Sequence, residues 1–449
     1  MKPTSGLRAG LVALARTTFD VRLAESVHSQ LAQSLTEARL TVVGPAELVV
    51  NDQGVEAACR ELEREPLDLL LVLQATFADS RMVIELARQV HAPLLLWAVP
   101  EEPSGGRLRL NSFCGINLAA HALRRAGHRY LTIYARPGDW RGVERARQVA
   151  RAGQVRRLLA GARIGRVGGN PDGFDPCSMD PAALQRRFGV RIVQLALEEV
   201  FDRARAALPD ASGLRQMLDL RLAGLAELDQ PALGRTLGSY LALRQLAAEM
   251  DLDGLAVRCW PEFFTELGCA ACGAMSLLTD ELTPCSCEAD VNGTITQLVL
   301  QWLSGEPAFG TDMVAFDADR NHAVLWHCGL APLSMADPKS TPRGTIHSNR
   351  RLPLLLEFPL RPGRVTIARL SEAEGTGSYR LVVGGGEMLE APLSFSGTSG
   401  VVRFDRPAGL VMETILAEGL DHHVALTYGD HQTALEILAE MLDIPVLRL

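Results

Sequence analysis

The chain has 449 residues, which at about 100–200 residues per domain suggests roughly two to four domains. Forty-five basic residues against 53 acidic ones leave a formal net charge of −8, which argues against a surface built to bind nucleic acid. Hydrophobic residues at 47% and charged residues at 22% exclude a disordered chain.

In chain order, Leu7–Leu14 is an apolar, strand-like run, and Leu23–Ala38 repeats apolar residues at helical spacing. Leu40–Val43 leads into the Gly44-Pro45 turn. Leu67–Leu73 and Ala92–Val99 are unbroken apolar runs separated by the helical Met82–Val90. Both are far shorter than the ~20 residues of a membrane span. Arg129–Ala135 continues the pattern after a helix around Ile116–Ala126. Buried strands alternating with amphipathic helices predict a parallel sheet covered on both faces, so residues 1–160 are expected to form an α/β domain.

The Gly-rich segment Gly161–Gly173 reads as a boundary by its turn chemistry. A strand over Val190–Leu195, long helices across Leu197–Met250 and a strand at Leu255–Arg258 predict a second α/β domain, residues 161–306. From about residue 307 the texture changes to short β-rich runs: Arg364–Leu370, Tyr379–Val383 and Val401–Phe404. Gly-rich turns separate them, Gly384-Gly385-Gly386 being the clearest, and a helix near Gln432–Leu442 and a strand Pro445–Leu449 close the chain. The fold class expected is α/β: two Rossmann-like domains with parallel sheets, then a β-rich, barrel-like domain over residues 307–449.

The residue types narrow the chemistry. Lys2 and Lys339 are the only lysines; the first is at a frayed end and the second in a loop, which disfavours a Schiff-base mechanism. Nine cysteines, an odd number, read as reduced thiols in a cytoplasmic protein without a signal peptide. Gly165-x2-Gly168-Gly169 lacks the dinucleotide pattern, and no GxxxxGK[ST] is present. Cys269-x2-Cys272 with Cys285-x-Cys287 could be read as a thiolate zinc site, although the second spacing is unusual and small buried thiols compete.

Glu262 follows a strand directly, where it is either a general base or metal ligand, or a carboxylate favouring a helix N-terminus. Asp290, in Cys285-Ser-Cys-Glu-Ala-Asp-Val-Asn-Gly293, is a ligand candidate with a helix cap as its competitor. His327 ends a strand-like run beside Trp326. The pair His422-His423 precedes another, and on local grounds a surface-loop pair is the simpler reading.

Taken together these segments resemble the L-fucose isomerase and L-arabinose isomerase superfamily. Leu14-Ala-Arg-Thr-Thr-Phe-Asp20 is similar to its N-terminal substrate-facing Arg segment, and Asn111-Ser-Phe-Cys-Gly115 to a first-domain loop. Arg258-Cys-Trp-Pro-Glu262 and Cys287-Glu-Ala-Asp-Val-Asn-Gly293 resemble its two metal-carboxylate motifs, and Trp326-His-Cys-Gly329 and Asp421-His-His-Val424 its histidine motifs. The resemblance implies an aldose–ketose isomerase using Mn²⁺, or another divalent cation such as Mg²⁺ or Co²⁺. It makes Glu262 and Asp290 both metal ligands and the acid/base pair, and His423 the imidazole ligand, with His422 the competing choice. Arg16, Trp326, His327 and His422 would face the sugar. A homo-oligomer, trimer or hexamer, is implied too, with no nucleic-acid or membrane partner. A non-catalytic sugar-binding protein, or an enzyme for an acidic or sulfonated sugar, is the alternative.

Overall fold

The computed structural model describes residues 6–372 and 377–449. The chain forms two compact units, residues 6–158 and 159–449. In the first, β1 (Leu7–Leu14), β2 (Leu40–Val43), β3 (Leu69–Gln74), β4 (Leu94–Ala98) and β5 (Leu131–Tyr134) make a parallel sheet in the order β2-β1-β3-β4-β5. Every residue of β3 and β4 is buried, which is why both read as unbroken apolar runs. The intervening helices Val21–Glu37, Asp52–Leu62 and Ser80–Gln89 begin on polar caps. Asp20, Asn51 and Asp79 accept the backbone N–H of Leu23, Gly54 and Arg81 at 3.0, 2.9 and 3.0 Å.

The second unit opens with another parallel sheet. Its strands are β6 (Arg163–Val167), β7 (Arg191–Leu195), β8 (Gly254–Val257) and β9 (Cys285–Ser286), in the order β7-β6-β8-β9. Strand β6 lies inside the Gly-rich segment expected to be a boundary turn. Gly165 is there for packing: a Cβ would stand 2.6 Å from the Leu252 side chain and 2.7 Å from that of Leu255.

The C-terminal strands are β10 (Phe309–Asp317), β11 (His322–His327), β12 (Arg343–Thr345), β13 (Leu355–Pro359), β14 (Gly363–Glu372), β15 (Tyr379–Leu389), β16 (Thr398–Phe404), β17 (His423–Tyr428) and β18 (Val446–Arg448). Six of them, β16-β11-β10-β17-β14-β15, form an antiparallel ring that the β15–β16 pairing closes into a barrel. The expected class, parallel α/β sheets followed by a barrel, holds. Gly384-Gly385-Gly386 is not a turn. It lies inside β15, facing Ile367, Thr366 and Val365 of β14. A Cβ on Gly386 would stand 2.5 Å from the carbonyl oxygen of Arg403 on β16, so a bare backbone lets β15 pair on both sides.

The helix Val291–Ser304 joins sheet to barrel. Every residue from Val291 to Leu303 is buried, and none is charged. Thr294 Oγ1 donates to the Leu255 carbonyl on β8 at 3.0 Å, and Thr296 Oγ1 accepts the Leu370 N–H from β14 at 2.9 Å. One hydrophobic cluster runs from the helices around β8 into the barrel strands. Among the described residues no helix is long and apolar enough to cross a membrane. Lys339 pairs with Glu390 at 2.7 Å on the surface; Lys2 lies outside the described residues.

Candidate active site

Strands β8 and β9 are parallel neighbours, with Leu255 opposite Cys285 and Ala256 opposite Ser286. Their carboxyl ends therefore deliver two loops side by side, in the crevice where open α/β sheets bind ligands. In the second loop Glu288 and Ala289 take left-handed backbone, with φ of 59° and 54°. Asp290 then caps the helix Val291–Ser304 by accepting the Gly293 N–H at 2.9 Å. The turn sends the two carboxylates to different neighbours. Trp260 Nε1 donates to Glu288 Oε1 at 3.1 Å, and His422 Nε2 meets Glu288 Oε2 at 3.2 Å. Asp290 Oδ2 instead takes Arg369 Nη1 at 2.5 Å and meets His423 Nδ1 at 3.0 Å.

The barrel supplies the rest. Asp312 on β10 stands opposite His423 on β17 and opposite Trp326 on β11, and His327 ends β11. With Nδ1 held by Asp290, His423 points Nε2 at Glu288 Oε2, 3.8 Å away, and at Asp312 Oδ1, 3.6 Å away. That Asp312 oxygen is buried and receives no hydrogen bond from the described residues. Two carboxylate oxygens around one imidazole nitrogen are the donors that divalent cations of the Mg²⁺ and Mn²⁺ kind take. A thiol, Cys177, stands beside them and shares one group of ligand atoms with Glu288, His422 and His423, all within 4.8 Å of one another. Burial, reinforced by Asp290 and Glu288, pushes Cys177 far above its usual range, and it stays a neutral donor to Glu288 Oε2 at 3.7 Å. Asp312, His327 and His423 form the second group, so His423 is shared by two sets of donors that fit a divalent metal.

The charges are arranged in pairs. Burial works to raise the Glu288 carboxyl, but the hydrogen bond with His422 and the nearby His423 hold it below its ordinary value. The same bond raises His422. Asp290, also opposed by burial, is held well below the carboxylate range by Arg369 and His423. Arg369 is 2% exposed and bonds Asp421 as well, at 2.8 Å. Glu288, Asp312, His327, His422 and His423 line one side of a cavity of about 280 Å³, and Trp260, Phe264 and Trp326 contribute aromatic walls.

Residues 10–163 match the N-terminal domain of the fucose/sulfoquinovose isomerases, and residues 356–449 match the L-fucose isomerase C-terminal domain. The chain is 31% identical over 444 residues to the sulfoquinovose isomerase of Alkalicoccus urumqiensis, covering 97% of this chain and 98% of that one. It is 30% identical over 437 residues to the sulfoquinovose isomerase of Priestia megaterium, covering 96% and 97%. The chain belongs to the fucose/sulfoquinovose isomerase family. It is an aldose–ketose sugar isomerase.

Within this isomerase the expected residues fall in three places. Asp290, His422, His423, His327 and Trp326 come together around the crevice and cavity, as the motifs imply. Glu262 does not join them. Arg258, four residues earlier and just past the end of β8, holds both of its oxygens, Nε lying 2.9 and 2.8 Å from them, and lowers its pKa. Glu262 does stand at the start of a helical turn, at the N-cap position of Phe263–Leu267, although its side chain makes no capping hydrogen bond there. Arg16 belongs to the first unit, past the carboxyl end of β1. Its guanidinium lies 5.3 Å over the Phe77 ring and 3.9 Å from Asp79. The cysteine quartet does not converge: Cys287 faces Cys259 with sulfurs 2.7 Å apart, and Cys272 faces Cys328 at 3.5 Å.

Three residues of the site escaped sequence reasoning. Glu288 sits inside a quoted motif, but only the left-handed turn distinguishes it from Asp290. Asp312 depends on register with a distant strand. Arg369 did carry a signal, a charge in the otherwise apolar Val365–Leu370.

Proposed function

We propose that this isomerase converts a sulfonated aldose to its ketose with a divalent cation, Mn²⁺ before Mg²⁺ or Co²⁺, held by Glu288, Asp312 and His423. The observation that carries the metal assignment is His423 Nε2 flanked by Glu288 Oε2 and the unpartnered Asp312 Oδ1. The sulfonated substrate is taken from the relatives named sulfoquinovose isomerase, which align over nearly their whole length.

When bound, the cation polarises the sugar carbonyl and offsets the negative charge that develops as the ene-diol forms. The side chains do the rest. Glu288, ionised and with Oε1 fixed by Trp260, takes the proton from the carbon next to the carbonyl and returns it to the neighbouring carbon, a step worth about 10²–10⁴-fold. His422 keeps that carboxylate charged and passes the proton that leaves the C2 hydroxyl to the oxygen on C1, so that no net proton is gained or lost. Asp290 positions His423 through Nδ1. The Cys328 N–H donates to His327 Nδ1 at 2.8 Å, which leaves the proton of His327 on Nε2 for a sugar hydroxyl. Trp326, stacked at 11° to His327 and anchored by its N–H on the Ser396 carbonyl at 2.8 Å, gives the sugar a flat wall. A cytoplasmic homo-oligomer, trimer or hexamer, completes the reading. Incubating the protein with a panel of neutral and sulfonated aldoses and Mn²⁺, and reading ketose, tests it. Turnover of neutral aldoses alone overturns the substrate class.

A further inference from the structure

The cavity holds a group that the proton transfer does not use. Arg350 is the sole arginine or lysine among its lining residues. Its guanidinium carbon lies 4.8 Å from the centroid of Trp260 and 5.1 Å from that of Phe264, so two aromatic faces hold it in place. Among the described residues its one side-chain hydrogen-bond partner is His347 Nε2, 3.3 Å from Nη1. No carboxylate lies within 4.0 Å of it among the described residues, unlike Arg258, Arg364 and Arg369, which are each paired with one. An always-charged planar fork, stacked on rings and left without an anion, is built to receive one.

Trp260 fixes where that anion would be. Its indole N–H holds Glu288 Oε1 at 3.1 Å, while its ring lies against the Arg350 guanidinium. The reacting carboxylate and the cationic fork are therefore one indole apart in the same cavity. A six-carbon aldose with its carbonyl end at Glu288 and His423 directs its other end toward Arg350. Glu288 and Asp312 repel an anionic substrate, and a cation at that far end offsets the repulsion.

We infer that Arg350 binds the sulfonate at the far end of the sugar and sets the preference of this enzyme for sulfonated over neutral aldoses. The inference rests on the sulfonated-aldose reading above and names the residue that carries it.

The test compares kcat/KM for sulfoquinovose with that for glucose, its neutral 6-hydroxy counterpart, in wild type, Arg350→Gln and Arg350→Lys. Titration of sulfoquinovose into the metal-free proteins gives a second readout. Arg350→Gln is expected to lower the sulfonated-to-neutral ratio by about 10–100-fold, mainly through KM, the range for a lost charge-assisted hydrogen bond. Sulfoquinovose binding should weaken in parallel. Arg350→Lys keeps the charge without the fork and should retain part of the preference, which separates recognition from misfolding. A wild type that prefers sulfoquinovose together with an Arg350→Gln that keeps the full preference overturns the role of Arg350 alone. A wild type with no preference overturns the substrate reading and this inference with it.

Discussion

His423 owes its function to what lies behind it. Asp290 on Nδ1 decides which ring nitrogen faces the cavity, and Arg369 keeps Asp290 charged in a buried place. Asp290→Asn should weaken Mn²⁺ binding by about 10–100-fold, the usual cost of losing a partner behind a metal-bound imidazole. Glu262→Gln should leave that affinity unchanged, because both its oxygens belong to Arg258. Titrating metal-free protein with Mn²⁺ separates the two, and loss of binding in Glu262→Gln would show the ligand set to be wrong. The His422–Glu288 pair gives the metal-free protein a pH signature. The lowered Glu288 pKa contributes stability that is complete above the ordinary carboxylate range and lost as pH falls through the lowered value. The raised His422 pKa contributes stability that is complete below the ordinary imidazole range and lost as pH rises through the raised value. Both contributions overlap between about pH 4.5 and pH 6.5. Melting temperatures measured from well below about pH 4.5 to well above about pH 6.5 should show a hump in wild type that His422→Gln flattens; identical profiles would remove the pair from the account. At this scale the sequence was half legible. Asp290, His327 and His423 stand out as polar residues ending or capping apolar segments, whereas the Asp312 contribution exists only once β10 pairs with β17.

Among the elements, β3 and β4 could be read because burial on all sides leaves a run without charges. The glycines could not, because a turn and a crowded strand both demand a missing side chain. The residue at 386 tests which demand applies. Gly386→Ala puts a methyl 2.5 Å from the Arg403 carbonyl and should destabilise the fold by about 1–3 kcal/mol, measured by urea unfolding. A turn glycine with open space around it would tolerate alanine at less cost. Arg369 on β14 is the second structural test. Arg369→Met leaves Asp290 and Asp421 buried beside no cation and should cost about 3–5 kcal/mol. A neutral effect would mean that water or rearrangement satisfies both carboxylates.

Within the second unit, the parallel sheet and the closed barrel put the loops after β8 and β9 against the barrel strands β10, β11 and β17, and the site is the product of that meeting. No single segment contains it, which is why several weak motifs in order said more than any one of them. The proposed trimer or hexamer is tested at the same scale: light scattering should give a mass well above the 48.6 kDa of one chain, and a monomer under active conditions would remove that part of the reading. The central claim is that a cation at Glu288, Asp312 and His423 drives the isomerisation. Its most direct test is ketose formation from sulfoquinovose by wild type and His423→Ala, after chelation and after Mn²⁺ is restored. The expected result is turnover by wild type with Mn²⁺, none after chelation, and none by His423→Ala in either state. Full turnover by the chelated wild type, or by His423→Ala, would contradict it.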